Sequence, residues 1–83
     1  VGRRFEDHAI SKTVTKIVRS HKEIIRVGKI LLYRAGDSFH IDVSCSFKKD
    51  IPLDAAHSIV TSIEQELKER FENAKVTMHQ EPA

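Results

Sequence analysis

The run from Phe39 to Phe47 alternates. Ile41, Val43, Cys45 and Phe47 fall on one side; His40, Asp42, Ser44 and Ser46 fall on the other. Successive strand side chains point to opposite faces. The run is therefore a strand with one face on a core and one polar face. An apolar sheet face has to be covered, and in a chain of 83 residues the cover is expected to be helices.

The neighbouring segments supply the rest. Lys29–Tyr33 is an apolar run before a turn at Ala35-Gly36-Asp37-Ser38, where Gly36 is free to take a positive φ. The two strands are expected to form an antiparallel hairpin. From Pro52 to about Glu72, Ala56, Ile59, Val60, Ile63, Leu67 and Phe71 recur as one helical stripe. Asn73 is expected to end that helix in a left-handed conformation. Lys75-Val-Thr-Met-His-Gln-Glu-Pro82 is a closing edge strand: Val76 and Met78 point one way, Thr77, His79 and Glu81 the other. A helical crossover makes the last two strands parallel. Near the start, Ile10, Val14, Ile17, Val18 and His21 keep helical spacing behind a possible N-cap at Asp7. The β-branched run Thr13–Val18 argues for a strand, but Lys16 would then share a side with Val14 and Val18, so a helix over about 8–21 is expected.

The fold class that follows is α+β, a two-layer sandwich of order αββαβ. Residues 1–7 are expected to be a linker or frayed start, and 8–83 a single domain. Arg3 and Arg4 are solvated charges that would also suit the cytoplasmic flank of a preceding membrane helix. The chain opens on Val, not Met, and is expected to be part of a longer protein. It has no signal peptide and no apolar run near the roughly eighteen residues that a membrane span needs, so no direct membrane insertion is expected.

Chemistry concentrates on the polar sheet face. His79 and Glu81 lie two residues apart on one strand face, and imidazole and carboxylate are both zinc ligands. His40 and Asp42 share the facing strand, and His57 stands at the start of the long helix. Other readings compete. His8 and His21 are most simply surface or helix-end histidines, and His40 with Asp42 fits an ordinary solvated strand face. Cys45, the single cysteine, is most simply a small buried hydrophobe and excludes an internal disulfide framework. An enzyme is not expected: His57 and Asp54 lie one helical turn apart, but there is no convincing nucleophile or glycine-rich phosphate loop. Nucleic acid is not an expected partner. The net charge of +2 is weak, and the open face carries acids rather than aromatics.

Three segments together, Gly36-Asp-Ser-Phe-His-Ile-Asp-Val43, Ile51-Pro-Leu-Asp-Ala-Ala-His57 and Val76-Thr-Met-His-Gln-Glu-Pro82, resemble the C-terminal cytoplasmic domain of cation diffusion facilitator transporters. The resemblance implies a metallochaperone-like, ferredoxin-like fold and a V-shaped homodimer on the cytoplasmic side of the membrane. It also implies divalent metal, zinc above all with other transition metals possible, bound near the dimer interface. The membrane domain of the same parent chain would be coupled to dimer closure. By position, His57 matches the family's helix-start histidine, His79 its closing histidine, Glu81 the acidic partner and Asp42 a strand aspartate. Ser44, and the region of Gly28 and Lys29, stand where many members carry histidine. His40 shares a face with Asp42 and Ser44 and partly substitutes, and a thinner site shared between subunits is the expectation. The rival readings are a metal-independent structural dimerisation domain and a free-standing metal carrier.

Overall fold

The computed structural model describes residues 2–83. The expected order of helix, strand, strand, helix and strand is present, with one short strand in front of it. The elements are β1 (Arg3–Phe5), α1 (His8–Arg19), β2 (Ile24–Ala35), β3 (Ser38–Phe47), α2 (Leu53–Arg70) and β4 (Ala74–Gln80). They build a four-stranded sheet of order β1-β2-β3-β4. The β1–β2 and β2–β3 pairs are antiparallel and β3–β4 is parallel.

The core is the alternating face of β3. Ile41, Val43 and Cys45 are buried with Leu32 of β2, Val14 and Val18 of α1, and Ala56, Ile63 and Leu67 of α2. Val76 and Met78 pack at the margin of this cluster, as side chains on an edge strand do. α1 forms despite its β-branched run because Asp7 caps it and its apolar stripe is buried. The Asp7 Oδ1 accepts the Ile10 N–H at 3.0 Å. Tertiary burial of an amphipathic face outweighs weak helix propensity. Beyond its end, His21 Nε2 meets Glu66 Oε1 of α2 at 3.0 Å and ties the two helices together.

Three details differ from the sequence expectations. The opening residues, expected to be a linker or frayed start, include β1, which pairs Arg3, Arg4 and Phe5 with Arg34, Tyr33 and Leu32. The Phe5 ring meets Phe39 edge-on at 6.2 Å, Phe39 meets Phe71 likewise at 6.0 Å, and the Arg34 guanidinium lies 4.7 Å from the Phe5 ring centre. One aromatic side chain thus anchors a segment without periodicity. β2 begins at Ile24, ahead of the expected Lys29, because its pairing with β3 slips twice, between Ile24 and Arg26 and between Val27 and Ile30. Each slip inserts an extra residue, which breaks the alternation that marks a strand in sequence. Finally, α2 ends at Arg70, and Asn73 is not left-handed. Phe71 leaves the helix at φ −121°, drawn into the aromatic cluster, and its N–H still reaches the Leu67 carbonyl. Among the described residues the positive φ values belong to Gly36, as expected, and Asp50.

Leu67→Ala is expected to lower the unfolding free energy by about 2–5 kcal/mol, as for a large-to-small change in a packed core. Asp7→Ala is expected to cost about 1 kcal/mol through the lost cap. Urea denaturation followed by circular dichroism measures both. A smaller loss for Leu67→Ala than for Asp7→Ala would overturn the assignment of Leu67 to the core.

Candidate metal site

The parallel pairing of β3 and β4 decides which polar side chains meet. Asp42 lies opposite Thr77 and Ser44 opposite His79. Paired residues share a sheet face, so His40, Asp42, Ser44, Thr77 and His79 all stand on the face away from the helices. Within it, His79 Nε2 approaches Asp42 Oδ2 to 3.8 Å. One step along, Thr77 Oγ1 lies 3.4 Å from His40 Nε2. His79 is about half exposed at 53% and Asp42 less so at 29%, so the pair opens to solvent. A shallow hollow lined by Gly2, Tyr33, His40 and Asp42 adjoins it.

Glu81 lies beyond the formal end of β4, but its backbone is still held. Its N–H donates to the Cys45 carbonyl at 2.9 Å, so the chain keeps running beside β3. A Cβ placed on Gly28 would sit 3.6 Å from Glu81 Oε1 and 3.1 Å from the Ser44 Cβ. The Glu81 carboxylate therefore lies beside Gly28 and Ser44, the two positions where the resemblance expects histidine and this sequence has none.

The tail is fastened by two residues outside the sequence-derived candidates, Arg26 and Ser46. Ser46 is buried at 1% exposure although it belongs to the polar face. Its hydroxyl donates to the Pro82 carbonyl at 3.2 Å, and Arg26 Nη2 donates to the Ser46 Oγ at 3.1 Å and to the Pro82 carbonyl at 3.3 Å. A serine inside an alternating run is a weak signal, and the partner that buries it comes from the far end of the chain.

Of the candidate residues, Asp42 and His79 come together, with His40 beside them. Glu81 occupies a neighbouring position on the same side of the sheet. His57 does not join them. It is exposed in the first turn of α2 and shares a surface hollow with Leu53, Asp54 and Gln80, whose side chain falls on the opposite face of β4 from His79. Among the described residues, no three His, Cys, Asp or Glu side chains gather closely enough to hold one ion. Cys45 lies on the buried face, and burial pushes its thiol pKa up, which disfavours the thiolate a metal would need.

Residues 7–83 match the family model described as cation efflux protein, cytoplasmic domain. Among solved structures, that of CzrB, a candidate zinc transporter, is 18% identical with a TM-score of 0.84, covering 95% of this chain and 99% of that one. The metal-bound C-terminal domain of the CzcD transporter from Thermotoga maritima is 17% identical, with a TM-score of 0.81 and coverage of 89% and 87%. The C-terminal domain of the magnetosome protein MamB from Desulfamplus magnetovallimortis BW-1 is 16% identical, with a TM-score of 0.83 and coverage of 92% and 95%. No curated protein matches the chain in sequence. No helix among the described residues is long and apolar enough to cross a membrane.

Arg26→Ala is expected to release the tail. Losing the two guanidinium bonds should raise hydrogen exchange at the Glu81 amide roughly thirtyfold, since each contributes about 1 kcal/mol. The Phe39 amide, bonded to the Asn73 carbonyl at the other end of β4, should be unaffected. Equal protection of Glu81 in both proteins would mean that the clamp does not hold the tail.

Proposed function

The chain belongs to the cytoplasmic-domain family of cation efflux proteins, and we propose that within its parent transporter it is a metal-sensing dimerisation domain. The observation that carries this reading is the pairing of His79 with Asp42 on the open face of the sheet. Their donor atoms lie 3.8 Å apart. Two donors on a tetrahedral zinc ion, at bond lengths of about 2.0–2.2 Å, lie about 3.4 Å apart. The pair is therefore close to the spacing at which both could hold one ion.

Two donors do not close a site. Zinc takes about four N, S or O ligands. His40 is the next donor along the face, and Glu81 lies on its other flank. His57 is on the far side of an edge strand from His79, so a second copy of the chain is the simplest way to bring a helix-start imidazole to this face. A divalent ion would supply the attraction that draws these donors together. Residues that converge only when two copies close make metal affinity and dimer closure one coupled equilibrium. The N and O donors suit zinc and tolerate other divalent transition metals. Imidazole must be neutral to coordinate, so acid should oppose closure. CzcD is named as metal-bound, which supports the same reading here.

A second reading has its own support. No three candidate ligands gather among the described residues, which suits a dimerisation domain that needs no metal. A free-standing carrier is less favoured, because such carriers present paired thiols and the single cysteine here is buried. Catalysis forms no part of either reading.

Small-angle scattering of the domain, metal-free and then titrated with zinc, separates the two readings. A dimer that compacts with zinc is expected, and a His57→Ala, His79→Ala double variant that stays folded should not compact. Its zinc affinity should fall by at least about tenfold, the lower end of the loss seen when even an outer-shell partner is removed. A dimer indifferent to zinc would leave metal-independent dimerisation as the function.

A further inference from the structure

The outer face of α1 carries charge of one sign. Lys12, Lys16 and Arg19 recur at intervals of four and three, which sets them in one stripe along the helix, with His8 one turn ahead of them, and all are exposed. Lys22 extends the stripe past the end of α1. No acidic residue occurs between His8 and Lys22. The whole chain carries a formal charge of only +2, so the four cations of this stretch leave the rest of the chain net acidic. Arg70 of α2 lines the hollow beside Lys12 and Lys16. The acid in that hollow, Glu66, is engaged by His21 at 3.0 Å. Among the described residues the ion pairs are His21–Glu66 and His79–Asp42, so the stripe's cations are not neutralised within the chain.

The helix itself does not account for this arrangement. Lys16 and Arg19 suit the negative C-terminal end of the helix dipole, but Lys12 lies in mid-helix and repels Lys16 one turn away. Packing does not account for it either, because the core of α1 is supplied from the opposite side by Val14 and Val18.

We propose that this stripe docks on an anionic lipid leaflet. The occupant follows from charge and from the setting. A cytoplasmic domain of a cation efflux protein is tethered beside a leaflet that carries anionic headgroups, and exposed lysines and arginines are attracted to that surface. Tethering raises the effective concentration of the surface, so a short stripe suffices. Nucleic acid is the less fitting occupant, since no Phe, Tyr or Trp lies between Ile10 and Lys22 to stack a base. The proposal is independent of metal sensing, because the stripe lies on a helix and the candidate metal donors lie on the opposite side of the sheet or at the start of α2.

Co-sedimentation of the chain with phosphatidylcholine vesicles, with and without phosphatidylserine, tests it. Binding is expected only with phosphatidylserine and should weaken with salt. Replacing Lys12, Lys16 and Arg19 together by Ala should lower partitioning by about fivefold per charge removed. A Lys12→Arg, Lys16→Arg variant should keep it, as should a Lys48→Ala, Lys49→Ala, Lys75→Ala control that removes as many cations elsewhere. Circular dichroism checks that each variant is folded. Binding that ignores phosphatidylserine, an equal loss in the control, or tighter binding to an RNA duplex than to the charged vesicles would each overturn the proposal.

Discussion

The parallel register between β3 and β4 is the constraint on which the rest depends. A slip of one residue would turn His79 toward the helices and Met78 toward solvent, since side chains alternate with period two. Both ends of the pairing are fixed by contacts outside the ladder. At one end the Phe39 N–H donates to the Asn73 carbonyl at 3.0 Å, just after α2 delivers the chain back to the sheet. At the other, Arg26 and Ser46 hold the Pro82 carbonyl. Between them α2 lies over the apolar face with Ile63 and Leu67 fully buried. Core packing and the polar face are thus two consequences of one register.

Much of this was legible in the sequence because period-two alternation is a local signal. β3 was visible from its alternation alone, and the proximity of Asp42 to His79 follows once β4 is set parallel to it. The stripe of α2 placed each of its ends to within two residues. The missed features need information from distant parts of the chain. β1 depends on Phe5 finding Phe39, and the bulges in β2 hide its early residues from any periodicity test. Ser46 is buried only because a carbonyl 36 residues later lies over it. His57 was correctly placed at the start of α2, but it does not meet His79, because α2 packs on the other face of the sheet.

The CzrB, CzcD and MamB structures are each under a fifth identical to this chain, yet nearly the whole chain superposes on them. An αββαβ sandwich asks for apolar residues at alternating and helical positions, and many sequences meet that demand. It asks nothing of the polar face. Residues there can change without loss of the fold. The likeness therefore speaks to architecture, and the ligand chemistry of each member has to be read from its own side chains.

The burial of Cys45 has a practical consequence. The one thiol of the chain sits 1% exposed near the end of β3, with its ionisation disfavoured by burial. Alkylating reagents attack thiolate that is accessible, so the folded molecule is close to inert toward them. Their slow reaction would then count the openings that expose the central strand. The same silence lets a spectroscopic label be attached through a cysteine introduced on the surface while the native one stays in place. The domain thus carries an internal clock of its own unfolding and leaves its exterior free for distance measurements between two copies.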